Sequence, residues 1–141
     1  MTLRGLLCRF AAAYLVLLVV VAVVLNLAGA SSHTSGNVAA LLAAVTWVCM
    51  DFAKKNGRYF TPDEKKRAIV GMLVIDMAMQ AAVTAAAGLF SISSGAPVLA
   101  LGPTMLVLLF VGVLHALVIW FFVGFAGKQH AAAEARRNKN N

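Results

Sequence analysis

Two ionisable side chains lie where the surrounding sequence is apolar: Asp76, in the stretch 68–90, and His115, in the stretch 98–127. A carboxylic acid and an imidazole held together away from water could pass a proton or hold a cation. Burial favours the neutral acid, and imidazole changes charge near neutral pH. At helical rise Asp76 lies about 12 Å beyond Ala68, and His115 about 15 Å from the basic end of its own stretch. The two depths are comparable, so an Asp76–His115 hydrogen bond or ion pair is expected. Gln80 follows Asp76 by one helical turn and shares its face, with Thr84 and Gly88 drifting slowly round it. The bland reading is that such a pair fastens two helices; the sharper one is a proton or cation relay. A single polar pair favours the fastening role.

Other chemistry is absent from the sequence. It contains no H-E-x-x-H, no G-x-S-x-G and no phosphate-cradling loop. His33, His115 and His130 fall at different depths or sides and cannot share one metal. Asp51 lies too near the end of its apolar run to form a catalytic carboxylate pair with Asp76; local pairing with Lys54 and Lys55 is expected instead. No enzyme activity, metal or cofactor is expected.

The elements that must position these residues follow from composition. Of 141 residues, 62% are hydrophobic and only 12% charged, with a mean hydropathy of +0.87. So small a chain could not hide that much apolar surface from water. Four runs, about 10–27, 35–53, 68–90 and 98–127, approach or exceed the roughly 20 residues that cross a 30 Å hydrocarbon core. The second is weakest, with an uninterrupted apolar run of only 38–50, a length that also fits a re-entrant segment. A full crossing is expected because Lys54 and Lys55 can snorkel. The expected fold is all-α: an integral membrane four-helix bundle, one domain over 1–141 with a basic tail at 128–141. In that tail a short separate helix is expected over 130–137. Ala39, Ala40, Ala43 and Ala44, and the Ala78, Ala82, Ala86 repeat, could allow close helix approach. Trp47, Trp120, Phe121 and Phe122 read as lipid anchors or packing residues.

The net charge of +7 is unevenly distributed. Its twelve Lys and Arg form three groups: Arg4 and Arg9; Lys54, Lys55, Arg58, Lys65, Lys66 and Arg67; Lys128, Arg136, Arg137 and Lys139. Four crossings put all three on one side, while the connections 28–36 and 91–97 hold neither Lys nor Arg. By the positive-inside rule both termini are cytoplasmic, N-in and C-in. Basic clusters flanking apolar runs are membrane anchors rather than nucleic-acid patches, so no nucleic-acid partner is expected. The first run is longer than a signal-peptide core, so retention as a span is favoured over cleavage near Ala28-Gly29-Ala30. Cys8 and Cys49 read as free thiols in a reducing compartment.

The connection between the second and third runs carries the clearest local signals. Asn56-Gly57 stops a helix, with Gly57 able to adopt the left-handed conformation. Thr61, Pro62 and Glu64 supply an N-cap, a first-turn proline and a capping box, so the third helix is expected to start at Pro62. The segment Lys55-Asn56-Gly57-Arg58, followed by Thr61-Pro62-Asp63-Glu64-Lys65-Lys66-Arg67, resembles an uncharacterised family of small four-span bacterial inner-membrane proteins. That resemblance implies a bacterial inner membrane and brings no catalytic residue or cofactor. The functional expectation is a non-enzymatic polytopic protein acting by contact with another membrane component, as an accessory or immunity protein does. The alternative is a small oligomeric proton- or cation-coupled transporter using Asp76. Membrane lipids, another membrane protein or further copies of the chain are the expected partners. Lys54, Lys55, Arg58, Lys65, Lys66 and Arg67 are the candidates for lipid or partner contact.

Overall fold

Local signals decide where each helix begins and ends. The computed structural model describes residues 1–29, 34–93 and 101–139. Four helices occupy almost all of these: α1 (Leu3–Leu27), α2 (Thr34–Asn56), α3 (Pro62–Ser93) and α4 (Leu101–Lys139). All four are long and apolar enough to cross a membrane. Thr2 caps α1 by accepting from the Gly5 N–H at 3.2 Å. Gly57 takes φ +62° just beyond α2, a conformation a side chain would disfavour. The capping box of α3 is reciprocal, as expected. The Thr61 N–H donates to Glu64 Oε2 at 3.0 Å, and the Glu64 N–H to Thr61 Oγ1 at 3.4 Å.

One boundary differs from expectation. The separate tail helix over 130–137 is instead a continuation of α4, which runs unbroken to Lys139. Ala131, Ala132 and Ala133 are the strongest helix formers, and no proline follows Gly127 to stop propagation.

Side-chain contacts set the directions. The Asn56 amide donates to the Met1 carbonyl, and Arg9 to Asp51, so α1 and α2 run antiparallel. Leu7 packs at Gly71 and Tyr14 reaches Asp76, so α1 and α3 run parallel. Met77 packs at Gly112 and Lys65 at Gly124, so α3 and α4 run antiparallel. α1 packs on α2 and α3, and α4 packs on the same two, leaving α2 diagonal to α3. The three basic groups therefore share one end of the bundle.

The core is concentrated in the half towards that basic end. Leu6 and Phe10 of α1, Val45, Val48 and Phe52 of α2, Met72 of α3, and Ile119 and Val123 of α4 are all buried. Beyond it α1 turns Val19, Val20, Val23 and Val24 outward, and α4 turns Leu106, Leu109 and Phe110 outward. Such faces suit lipid, which is as apolar as they are. α2 is the least apolar span and also the one most enclosed by protein. Its short apolar run is thus explained: α1 and α4, rather than lipid, cover much of it.

Close approach uses glycines together with Ala40 and Ala44 of α2, both buried in the core, and not the later alanine repeat. Ala78, Ala82 and Ala86 face outward. A Cβ at Gly36 would sit 2.4 Å from Val21 Cγ1, and one at Gly71 would sit 2.7 Å from both Leu7 methyls. Tyr59 lies across Gly127, where a Cβ would meet its ring at 2.7 Å, and its hydroxyl donates to the Val123 carbonyl. Phe60 stacks on Phe52 at 4.2 Å. The α2–α3 connection is thereby clamped between α2 and α4.

Candidate functional site: a polar centre shared by four helices

Asp76 is completely buried and His115 is 3% exposed. The expected contact is present: His115 Nδ1 lies 2.7 Å from Asp76 Oδ2. A hydrogen must lie between them, because two bare lone pairs at that distance repel. The Tyr14 hydroxyl is 2.7 Å from Asp76 Oδ1 and also 2.7 Å from Asn37 Oδ1. Gln80 Nε2 lies 3.4 Å from each carboxylate oxygen and 2.9 Å from His115 Nδ1. Tyr14 comes from α1, Asn37 from α2, Asp76 and Gln80 from α3, and His115 from α4, so every helix contributes.

Proton counting restricts how this centre is wired. A phenol carries one hydrogen, so Tyr14 cannot donate to Asn37 and Asp76 together. With Asp76 ionised, Tyr14 donates to the carboxylate and the Asn37 amide turns its NH2 edge to the phenol oxygen. With Asp76 carrying a proton on Oδ1, that proton goes to Tyr14, whose own hydrogen passes on to Asn37. Nδ1 has one site in the ring plane, and the carboxylate is its nearer partner. Among the described residues no buried side-chain nitrogen or oxygen lacks a partner.

On the side away from the basic end, a cleft of about 340 Å³ opens between α1, α2 and α3. Tyr14, Asn37, Gln80 and Thr84 supply its polar lining, and Leu18, Val21, Leu25 and Met79 much of its apolar wall. Asp76 and His115 do not line it. Tyr14 and Gln80 stand between the cleft and the carboxylate.

Sequence reasoning missed Tyr14 and Asn37. Tyr14 reads as one more apolar residue of a valine-rich run, yet tyrosine favours the membrane interface and here lies in mid-helix. That misplacement was the available signal. Asn37 sits at the weak edge of the second run, where polarity looked like a helix end. Asn26, near the far end of α1, is exposed and takes no part.

The basic end divides into paired and free cations. Arg9 Nη1 lies 2.6 Å and Lys55 Nζ 3.1 Å from Asp51 Oδ2. The expected partner Lys54 faces outward instead, and α1 supplies the second cation. Arg58 grips Glu64 with two bonds of 2.7 and 2.9 Å. That guanidinium, helped by the Thr61 N–H, holds the Glu64 carboxyl well below the usual range, at about 2; Glu64 precedes the apolar stretch that starts at Ala68. Burial pushes the Tyr59 hydroxyl up, so it remains a donor to Val123. Lys66 and Arg67 are exposed, and Lys65 lies against α4. His130 is 3.7 Å from Glu134. Among the described residues no group of three metal-ligating side chains converges; His33 lies outside them. No family model, curated protein or solved structure matches the chain.

Proposed function

We propose that this is a multi-pass protein of a bacterial inner membrane that works by contact with another membrane component rather than by catalysis. Both termini and the basic end face the cytoplasm, a reading supported by the gathering of Lys and Arg at one end. Membership in the four-span family suggested by the Lys55-to-Arg67 connection fits the same picture. The observation that carries the contact reading is that the Asp76 centre joins all four helices to one another. Polar side chains from all four helices, bonded to one another, tie the bundle together at its middle, the fastening role of an interhelical polar cluster. With connections as short as 28–33, 57–61 and 94–100, lateral faces and the basic end are the surface available for contact.

Photo-crosslinking in cells tests this. A crosslinking residue at outward-facing Val74 or Leu109 is expected to give a discrete protein adduct from at least one position. Lipid adducts alone from outward positions on all four helices would remove the contact reading.

A second reading is favoured by the cleft that reaches Tyr14 and Gln80: Asp76 as the carboxylate of a small proton- or cation-coupled transporter. Vesicles carrying the purified protein decide between the two. On the contact reading, an imposed pH gradient decays as in empty vesicles, and Asp76→Asn lowers the melting temperature without altering that decay. Faster decay that Asp76→Asn abolishes would replace contact by transport.

A further inference from the structure

Where α3 and α4 meet at the basic end, a groove of about 350 Å³ is lined by Lys65, Trp120, Phe121, Gly124, Phe125 and Lys128. Trp120, Gly124 and Lys128 follow one another at four-residue spacing, as do Phe121 and Phe125, so they form one face of α4. Gly124 is the floor: Lys65 Nζ lies 3.7 Å from the place its Cβ would take, so the ammonium rests against the helix. Phe121 and Phe125 stack with their rings 9° from parallel, forming an apolar wall. Trp120 and Phe121 are 61% and 59% exposed, far more than core aromatics such as Phe52 at 1%.

Neither lysine of the groove is taken up by a carboxylate of this end. Asp51 is held by Arg9 and Lys55, Glu64 by Arg58, and Glu134 faces His130. Among the described residues neither Lys65 nor Lys128 forms a salt bridge. The groove thus offers positive charge at its basic end and an aromatic wall along the apolar part of α4. Its occupant must be anionic at one end and greasy along the rest. The lysines flank the ends of apolar stretches, the depth at which lipid phosphates lie.

We propose that this groove binds one anionic phospholipid, its phosphate between Lys65 and Lys128 and an acyl chain along Trp120, Phe121 and Phe125. The site goes beyond the contact reading and requires only that the chain spans a membrane. A free phosphate would use the lysines but not the wall, and a neutral phospholipid the wall but less of the charge.

Native mass spectrometry of the full chain in detergent, titrated with phosphatidylglycerol or phosphatidylcholine, tests the assignment. One phosphatidylglycerol is expected to bind well ahead of phosphatidylcholine. Replacing both lysines (K65Q/K128Q) should weaken it about thirtyfold, from about fivefold per lysine. Gly124→Leu keeps both charges but fills the floor, and should also lose the lipid. The control K54Q/K66Q, at exposed lysines of the same end, should retain it, with melting temperatures confirming that all variants fold. Equal retention of the two lipids, equal weakening in the control, undiminished binding in K65Q/K128Q or Gly124→Leu, or displacement by millimolar inorganic phosphate would each overturn the proposal.

Discussion

Replacing Asp76 by leucine is expected to weaken assembly of the bundle by about 2–4 kcal/mol while making insertion of α3 easier. The two signs come from two different reference states. Insertion compares a helix in lipid with one in water, and there leucine is about 3 kcal/mol better than aspartate at mid-bilayer. Assembly compares helices packed together with helices apart, both already in lipid. In that step Asp76→Leu leaves the Tyr14 hydroxyl, the His115 Nδ1 and the Gln80 amide short of their shared acceptor. In bacteriorhodopsin such interhelical contacts average only about 0.6 kcal/mol each, since polar groups also find partners in the unassembled state. Three such losses give the lower end of the range, and the 3–5 kcal/mol for breaking a buried ion pair brackets the upper.

A double-mutant cycle separates pairing from general damage. His115→Leu alone should also destabilise, but the double leucine variant should be more stable than the two losses added together. Removing both partners leaves fewer orphaned groups than removing one. The coupling should be about 0.5–2 kcal/mol, read from denaturant titration of the purified protein in mixed micelles. Additive losses, or an Asp76→Leu variant as stable as the parent, would mean that the 2.7 Å contact contributes nothing.

How far the fold was legible varied with the range of the interaction. Signals confined to four residues could be read directly. Thr61, Pro62 and Glu64 specify their own capping box, and Gly57 its own left-handed turn, without reference to the rest of the chain. The depth of Asp76 and His115 was also readable, because helical rise converts position into distance once both stretches are taken as spans. What could not be read was azimuth, the direction in which each residue faces round its helix. A uniformly apolar span has no polar face to fix its rotation, so the mid-helix position of Tyr14 was the one mark of an inward direction in α1. For the same reason the evenly spaced Ala78, Ala82 and Ala86 looked like a packing surface, whereas all three face outward. Neighbour order was hidden too: α2 and α3 are joined by a short connection yet lie diagonally, leaving α4 to pack beside α2.

The glycine contacts lead to the second large effect, and to a ranking that steric detail alone supplies. Gly36→Ala is expected to destabilise by about 1–3 kcal/mol, and Gly36→Leu by more. The added Cβ would fall 2.4 Å from Val21 Cγ1 and 2.7 Å from Leu25 Cδ1. Valine branches at Cβ and is stiff about χ1, so Val21 cannot swing aside and α1 must shift. That shift carries a second cost, because neighbouring Asn37 holds Tyr14, and Tyr14 holds Asp76. Gly71→Ala meets the two Leu7 methyls at 2.7 Å and Leu7 Cγ at 3.3 Å, the outer part of one side chain with a second rotatable bond, and should cost less. Gly88→Ala meets nothing within 4 Å and should be neutral or stabilising by up to about 1 kcal/mol, through helix propensity. All three are glycine-to-alanine changes inside helices of one bundle, so propensity is common to them and only the neighbour differs. Thermal melts that place Gly36→Ala lowest, Gly71→Ala between and Gly88→Ala highest would establish the α1–α2 crossing at Gly36 as the tightest of the three. A reversed order would mean that α1 packs on α2 through some other face, and the path from Asn37 through Tyr14 to Asp76 would then lose its geometric basis.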